Sequence, residues 1–239
     1  MITVRKSEER GRTQIGWLDG RHTFSFGRYL DPAHMAFSTL RVINDDVVKP
    51  GMGFSMHPHD NMEIVTYVLD GALRHADSLG TGSVIRPGEI QRMSAGSGIR
   101  HSEVNASTTE PVRLLQIWIE PAERDIPPSY EQKSLPSLDG RIVEIAAPAG
   151  GAGGAGGAGG EHAVRVHTDA RIYATKLAQG DRVDHAIAQG RRAWVQVARG
   201  TLTVNGQTLR EGDGAAVEDE ASLTLEGVDN AEALIFDLP

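Results

Sequence analysis

The fold of this chain is restricted most strongly by a succession of short β-prone runs, each bounded by Gly, Pro, Asn or Asp. Long stretches with helical periodicity are absent. The dipeptides Asp70-Gly71 and Asn205-Gly206 are typical of tight hairpins, because glycine tolerates the positive φ that such turns require. Many short strands separated by turn signals predict an all-β protein, built as a sandwich or barrel. The predicted strands are Ala36–Val42, Ile64–Leu69, Leu114–Glu120, Arg171–Leu177, Trp194–Val197, Thr201–Val204, Ser222–Leu225 and Leu234–Leu238.

The pattern occurs twice along the chain. Val68–Leu73 resembles Val197–Leu202 at an offset of 129 residues, and Gly51 matches Gly180 at the same offset. A chain of 239 residues is long enough for two domains of ordinary size. The repeat therefore predicts a duplicated barrel.

We place the N-terminal domain at residues 1–132 and the C-terminal domain at residues 133–239. Between the copies, Pro121–Pro136 is rich in proline and charge and is interpreted as a linker. Residues 149–160 consist of Ala and Gly alone. Ordering so many glycines costs much conformational entropy and buries no side chains, so this tract is predicted to be an exposed loop.

Composition excludes several classes of function. A net charge of -8 gives no positive surface for nucleic acid. No apolar run approaches the ~20 residues that span a bilayer, and the charged N-terminus lacks the apolar region of a signal peptide, so the cytoplasm is the expected compartment. Cysteine is absent, so any metal must be bound by His, Asp or Glu.

Two trios of residues carry the chemistry, His57-Pro58-His59 and His101-Ser102-Glu103. Side chains at positions i and i+2 of a strand leave the same face, so each trio presents two ligand-type groups in one direction. On neighbouring strands, His57, His59, His101 and Glu103 would converge on one divalent metal. Imidazole and carboxylate ligands suit Fe(II), Mn, Co, Ni, Cu or Zn, and up to two positions would stay open for water, substrate or O₂.

Glu63 follows His59 by four residues, an even spacing that would return it to the same strand face. It is predicted to be a fifth ligand or, preferably, a partner that contacts the ligands. The remaining histidines show no ligand spacing and are given no metal role: His22, His34, His75, His162, His167 and His185. The offset of 129 maps His57 and His59 onto Ala186 and Ala188, so the second copy cannot rebuild the site.

These residues also carry a family resemblance. Gly51-x5-His57-x-His59-x3-Glu63 resembles the first cupin motif, and Gly98-x2-His101-x3-Asn105 resembles the core of the second. Gly96 stands where cupins often have proline, a departure that touches no ligand. Within the cupins the chain is similar to the pirins, and among these to bacterial pirin-like quercetin 2,3-dioxygenases. The similar stretches include Gly16–Asp19, His22–Phe26, Leu40–Asp46, Met93–Gly96, Trp194–Val197 and Leu234–Pro239.

The resemblance implies a bicupin, two cupin (jelly-roll-like) β-barrel domains, with the metal in the N-terminal one and no metal in the C-terminal one. It implies an enzyme, a metal-dependent dioxygenase that cleaves a flavonol such as quercetin with O₂ and releases carbon monoxide. Fe(II) is the ion expected first, and Glu103 or Glu63 is the candidate base. Phe54, Met56 and Met93 are candidate apolar walls. The alternative is a metal- or redox-sensing regulatory protein of the pirin type, whose partner is a transcription factor or a metabolic enzyme.

Overall fold

The computed structural model describes residues 1–149 and 161–239. Apart from Ala149, the predicted Ala/Gly loop lies outside these residues. Within the described ranges the chain forms β-strands and a single short 3-10 helix, Ser7–Glu9. None of the helical structure found there is long and apolar enough to cross a membrane.

The strands are short, as the spacing of the turn residues predicts. In residues 1–135 they are β1 Ile2–Arg5, β2 Gly11–Ile15, β3 Leu18–His22, β4 Leu40–Val48, β5 Gly53–His59, β6 Glu63–Asp70, β7 Leu73–Asp77, β8 Gly82–Ile85, β9 Glu89–Ser94, β10 Ile99–Asn105, β11 Val112–Ile119 and β12 Ser129–Ser134. In the described residues that follow they are β13 Val143–Pro148, β14 Val164–Val166, β15 Arg171–Leu177, β16 Arg182–Ala186, β17 Arg192–Arg199, β18 Thr201–Val204, β19 Gln207–Arg210, β20 Gly214–Val217, β21 Ser222–Gly227 and β22 Ala231–Leu238.

The N-terminal unit comprises Gly11–Leu135 and Val164–Thr168. Its larger sheet has the strand order β12-β9-β6-β11-β4-β3-β2, and its smaller sheet has the order β5-β10-β7-β8. The central strand β6 is buried from Glu63 to Leu69, because its apolar run continues without the alternation of a half-exposed strand. Two apolar clusters pack in this unit, one around Val68 and Leu114 and one around Ile64 and Met93.

The C-terminal unit comprises Met1–Arg10, Pro136–Ala163 and Asp169–Pro239. Its larger sheet contains the order β1-β20-β17-β22-β15-β13, and its smaller sheet has the order β16-β21-β18-β19. All eight residues of β22 are buried. The strand predicted at Leu234–Leu238 is the C-terminal part of β22, which lies between β17 and β15 in the sheet.

The two units repeat one topology. In the smaller sheets, β16, β21, β18 and β19 take the order of β5, β10, β7 and β8. In the larger sheets, β20-β17-β22-β15 follows the order of β9-β6-β11-β4. The duplicated all-β fold predicted from the repeat is confirmed.

The compact units are not simple halves of the chain. Met1–Arg10 belong to the C-terminal unit because β1 pairs with β20 there. In the N-terminal unit the corresponding edge strand is β12, which pairs with β9. The predicted limit between residues 132 and 133 falls inside β12. Because compact units and sequence domains need not coincide, the domain limits stay a prediction.

Some strands and turns have the predicted bounds and others differ. Arg171–Leu177 and Thr201–Val204 are strands with the predicted bounds, and Asn205-Gly206 forms the predicted hairpin turn with positive φ at both residues. Asp70-Gly71 is not a hairpin, because β6 and β7 lie in different sheets and the turn carries the chain between them. The strand predicted at Ala36–Val42 was wrong in both bounds. It begins at Leu40 and continues to Val48 through buried polar residues that hydrophobicity does not reveal.

Candidate metal centre

The two trios lie on adjacent strands of the smaller sheet in the N-terminal unit. His57 and His59 are on β5, and His101 and Glu103 are on β10. The Cα register places His101 opposite His57, with an irregularity between His101 and Glu103. In β10 the buried residues alternate with more exposed ones, so His101 and Glu103 leave the same face.

The structure brings the three predicted histidines together. The ring centroids lie 4.4 Å apart for His57 and His101, 4.8 Å for His57 and His59, and 4.9 Å for His59 and His101. One potential ligand atom from each ring lies within 4.8 Å of the other two. His101 is buried and the other two rings are half-buried, so the cluster has one closed side and one side nearer the solvent.

The protonation of these rings suits a metal. Burial, followed by the neighbouring histidines, lowers the pKa of His59 to about 4 and that of His101 to about 2. Both rings are therefore neutral at pH 7. The Nδ1–H of His57 donates to the carbonyl oxygen of Ser55 at 2.7 Å, which leaves the lone pair on Nε2.

Neither ring nitrogen of His101 has a hydrogen-bond partner among the described residues, although both are buried. Buried polar atoms are normally satisfied, and a metal would satisfy one of these. Neutral imidazoles that converge with free lone pairs are a suitable donor set for a divalent transition metal.

Glu103 is held on the buried side of the cluster. The Nε2 of Gln116 donates to both carboxylate oxygens, at 2.9 and 2.8 Å, and the hydroxyl of Thr66 lies 3.5 Å from Oε1. Burial is the main cause that raises the pKa of Glu103, against the lowering effect of Gln116. Its oxygen lies within 4.8 Å of ligand atoms of His101 and His75, and these three residues form a second, fully buried group.

Glu63 is not part of either group. The strand that carries His59 ends at that residue, and Glu63 begins β6 in the larger sheet, so the even spacing between them does not place them on one face. The Oε2 of Glu63 accepts from the hydroxyl of Ser94 at 2.9 Å and from the backbone N–H of His167 at 3.1 Å. The same-face argument for Glu63 was wrong because the chain turns between the two strands.

Aromatic side chains flank the imidazoles. The rings of Trp118 and His59 contact edge-on, with their centroids 4.9 Å apart. Phe26 packs edge-on against Trp118, with a centroid distance of 5.3 Å. The ring centroid of Phe54 lies 6.3 Å from that of His57, which is consistent with its predicted place in an apolar wall. The other two predicted wall residues are placed differently: Met56 is 46% exposed, and Met93 is fully buried in an apolar cluster.

His75 is the residue that the sequence-based prediction missed. It lies on β7 opposite Glu103 and is 1% exposed. His75-Ala76-Asp77 has the same i, i+2 spacing of ligand-type groups as the two recognised trios. That spacing, shortly after the turn at Gly71, could have identified His75 as a further candidate ligand.

A cavity of about 620 Å³ lies in the C-terminal unit, lined by residues 187–192 and 218–221. Both of its arginines are already paired. Arg191 contacts Asp169 and Asp237, and Arg192 contacts Glu218. Because its arginines are paired and no group of converging metal ligands is found there among the described residues, this cavity is a weaker candidate than the histidine cluster.

Two units of one topology, each with a large and a small antiparallel sheet, define a two-domain cupin, or bicupin. Residues 3–119 match the family model described as Pirin, and residues 155–238 match the one described as Quercetinase C-terminal cupin domain. The chain belongs to the pirin family, as the matching relatives also indicate.

Among these relatives is a quercetin 2,3-dioxygenase of Escherichia coli K12, 45% identical over 239 residues that cover all of this chain and 99% of the relative. A pirin-like protein of Caulobacter vibrioides is 39% identical over 239 residues, which cover 99% of each chain. The crystal structure of the bacterial pirin YhhW of Escherichia coli in complex with nickel(II) superposes with a TM-score of 0.92. It is 44% identical, with 100% of this chain and 99% of that chain covered.

Proposed function

We propose that this chain is a metal-dependent dioxygenase that opens the heterocycle of a flavonol such as quercetin, with O₂ as co-substrate and carbon monoxide as a product. The observation that carries the proposal is the convergence of His57, His59 and His101 beside the ring of Trp118. The relative named quercetin 2,3-dioxygenase supports the reaction class.

We assign the metal to His57, His59, His101 and Glu103. One divalent transition metal is expected, with Fe(II) first and Mn, Co, Ni, Cu and Zn as alternatives. A metal bound there would supply Lewis acidity that holds the 3-hydroxyl oxygen of the flavonol as its anion. A cytoplasmic location remains a prediction from the sequence.

Glu103 is the proposed base for the substrate hydroxyl proton. Its raised pKa makes the carboxylate a better proton acceptor than an exposed one. The amide of Gln116 fixes the direction of the carboxylate, and Thr66 in turn donates to the Gln116 Oε1 at 3.0 Å. Glu63, the second base candidate, is bound to Ser94 and His167, so the geometry favours Glu103.

The aromatic residues would orient the planar substrate. Trp118, Phe26 and Phe54 offer ring faces and edges on which the flavonol rings can stack. The indole Nε1–H of Trp118 is buried and has no acceptor among the described residues.

The test is to load the purified chain with each metal in turn and incubate it with quercetin in air. We expect loss of the flavonol absorbance together with release of carbon monoxide, and neither in the metal-free or the oxygen-free control. A chain that binds Fe, Mn, Co, Ni or Cu but leaves quercetin intact would contradict the proposal. That result would favour the regulatory hypothesis, in which a transcription factor or a metabolic enzyme reads the metal state.

A further inference from the structure

A buried histidine–aspartate pair lies beside the metal centre on β7. His75 is opposite Glu103 and Asp77 is opposite His101 in the antiparallel register of β7 and β10. Both side chains are 0% exposed, and the Nε2 of His75 lies 3.0 Å from the Oδ2 of Asp77. The other oxygen of Asp77 accepts the backbone N–H groups of Leu79 and Thr81, at 2.9 and 3.0 Å.

These contacts fix the tautomer of His75. A carboxylate accepts hydrogen bonds and does not donate them, so a neutral His75 ring that faces it carries its proton on Nε2. The lone pair is then on Nδ1, which is buried and has no hydrogen-bond partner among the described residues. A carboxylate that holds one nitrogen while the other is free is the arrangement found around metal-bound histidines.

The His75 ring has suitable neighbours. His75, His101 and Glu103 each offer a ligand atom, these atoms lie within 4.8 Å of one another, and all three residues are buried. A purely structural core histidine would be expected to satisfy both of its nitrogens, because an unpaired buried acceptor is costly. Two imidazoles and a carboxylate form the donor set typical of non-haem Fe(II) sites.

We propose a second, inner metal position on His75, His101 and Glu103, which shares His101 and Glu103 with the outer position formed by His57, His59, His101 and Glu103. The inference rests on the metal centre of the proposed function. A neutral imidazole donates one lone pair, so His101 serves one position at a time and the chain holds one ion. The inner position binds a divalent first-row transition-metal ion. There the buried His75 replaces the half-buried His57 and His59 as a ligand.

The experiment measures Co(II) binding to full-length chains by competition titration. The four proteins are wild type, His57→Ala/His59→Ala, the same double variant with His75→Gln, and the double variant with His185→Gln as matched control. His185 also has a buried nitrogen with no hydrogen-bond partner in the described part of the chain, but it lies in the C-terminal unit and in neither ligand group. Circular dichroism confirms that each variant is folded.

We expect wild type to bind one Co(II) and the double variant to retain one with affinity lower by roughly 10³- to 10⁴-fold, since loss of contacts outside the ligand shell alone costs roughly 10- to 100-fold. Adding His75→Gln should remove this residual binding, whereas adding His185→Gln should not change it. In proton NMR, the Co(II)-loaded double variant should show shifted ring N–H signals from His75 and His101, and the His75 signal should exchange slowly because Asp77 accepts it.

If His75→Gln unfolds the chain, Asp77→Asn in the double variant replaces it, with an expected further loss of roughly 10- to 100-fold in Co(II) affinity. A double variant that binds no Co(II), while wild type binds one, would overturn the inner position and leave the outer centre intact. Residual Co(II) affinity that neither His75→Gln nor Asp77→Asn lowers would also overturn it. A wild-type chain that binds no Co(II) would overturn the inner position and the metal centre together.

Discussion

The smaller sheets of the two units have the same strand order, but the side chains buried against them are polar in one unit and apolar in the other. In the N-terminal unit, the register of β7 and β10 places His75 opposite Glu103. In the C-terminal unit, the equivalent register of β18 and β21 places Val204 opposite Leu225, and both are fully buried in one apolar cluster. The same backbone thus supports a polar, ligand-rich centre in one copy and an ordinary hydrophobic core in the other.

The difference separates what the fold needs from what the chemistry needs. Burying imidazoles and carboxylates gives less stability than burying aliphatic side chains, and each buried polar group needs a partner. The N-terminal unit supplies such partners with Gln116, Thr66 and Asp77, yet nitrogens of His75 and His101 have none among the residues that the structure describes. The ligand cluster is therefore not required by the barrel, which forms without it in the C-terminal unit.

Removal of two outer ligands gives the largest expected effect. His57→Ala with His59→Ala should weaken binding of a divalent metal by roughly 10³- to 10⁴-fold, or about 4 to 5.5 kcal/mol, because two of the imidazole donors are lost. Ala188→His in the C-terminal unit is the matched control and should add no metal. Wild-type affinity in the double variant, measured by competition with a chelator, would mean that the ligands lie elsewhere.

Truncation of the apolar counterpart should affect stability alone. Leu225→Ala should lower the free energy of unfolding of the C-terminal unit by about 3 kcal/mol, through lost burial and the cavity left behind. Metal content should stay at the wild-type value. Urea denaturation and metal analysis on the same sample check both, and a loss of metal in this variant would show that the centre depends on the second core.

A smaller effect, dependent on pH, is expected at Asp46. Burial, followed by the charges of Asp45 and Glu103, raises the pKa of Asp46 to about 8, and its Oδ1 has no partner among the described residues. Since the unfolded pKa is near 3.9, the folded state alone holds the proton between these values. The stability that the protonated Asp46 contributes is fully present below pH ~4 and is lost as the pH rises towards 8.

The free energy of unfolding of Asp46→Asn, relative to that of the wild type, should therefore rise by about 2 to 3 kcal/mol between pH 5 and pH 7, measured by urea denaturation of the metal-free chain. The matched position is Thr175, which lies opposite Ala233 as Asp46 lies opposite Leu114. Thr175→Val should change stability equally at both pH values. An equal difference at pH 5 and pH 7 for Asp46→Asn would mean that this carboxyl is ionised in the fold.

The sequence predicted the fold and the three clustered histidines because both depend on local spacing. Turn dipeptides mark the strand ends, and the i, i+2 trios lie within single strands, so His57, His59 and His101 needed only one correct strand pairing. Glu63 was misplaced because a sheet change follows His59, and spacing along the chain does not reveal it. Asn44, Asp45 and Asp46 were left out of their strand because buried polar residues break the hydrophobic pattern.

The central claim is that chemistry is confined to the metal centre of the N-terminal unit. The most direct test is the rate of quercetin absorbance loss in air, measured side by side for metal-loaded wild type, Glu103→Gln and His185→Gln. The account predicts no turnover for Glu103→Gln, which keeps the shape but removes the charge and the proton acceptor, and a rate within about a few-fold of wild type for His185→Gln. Turnover that survives Glu103→Gln, or that disappears in a folded His185→Gln, would contradict it.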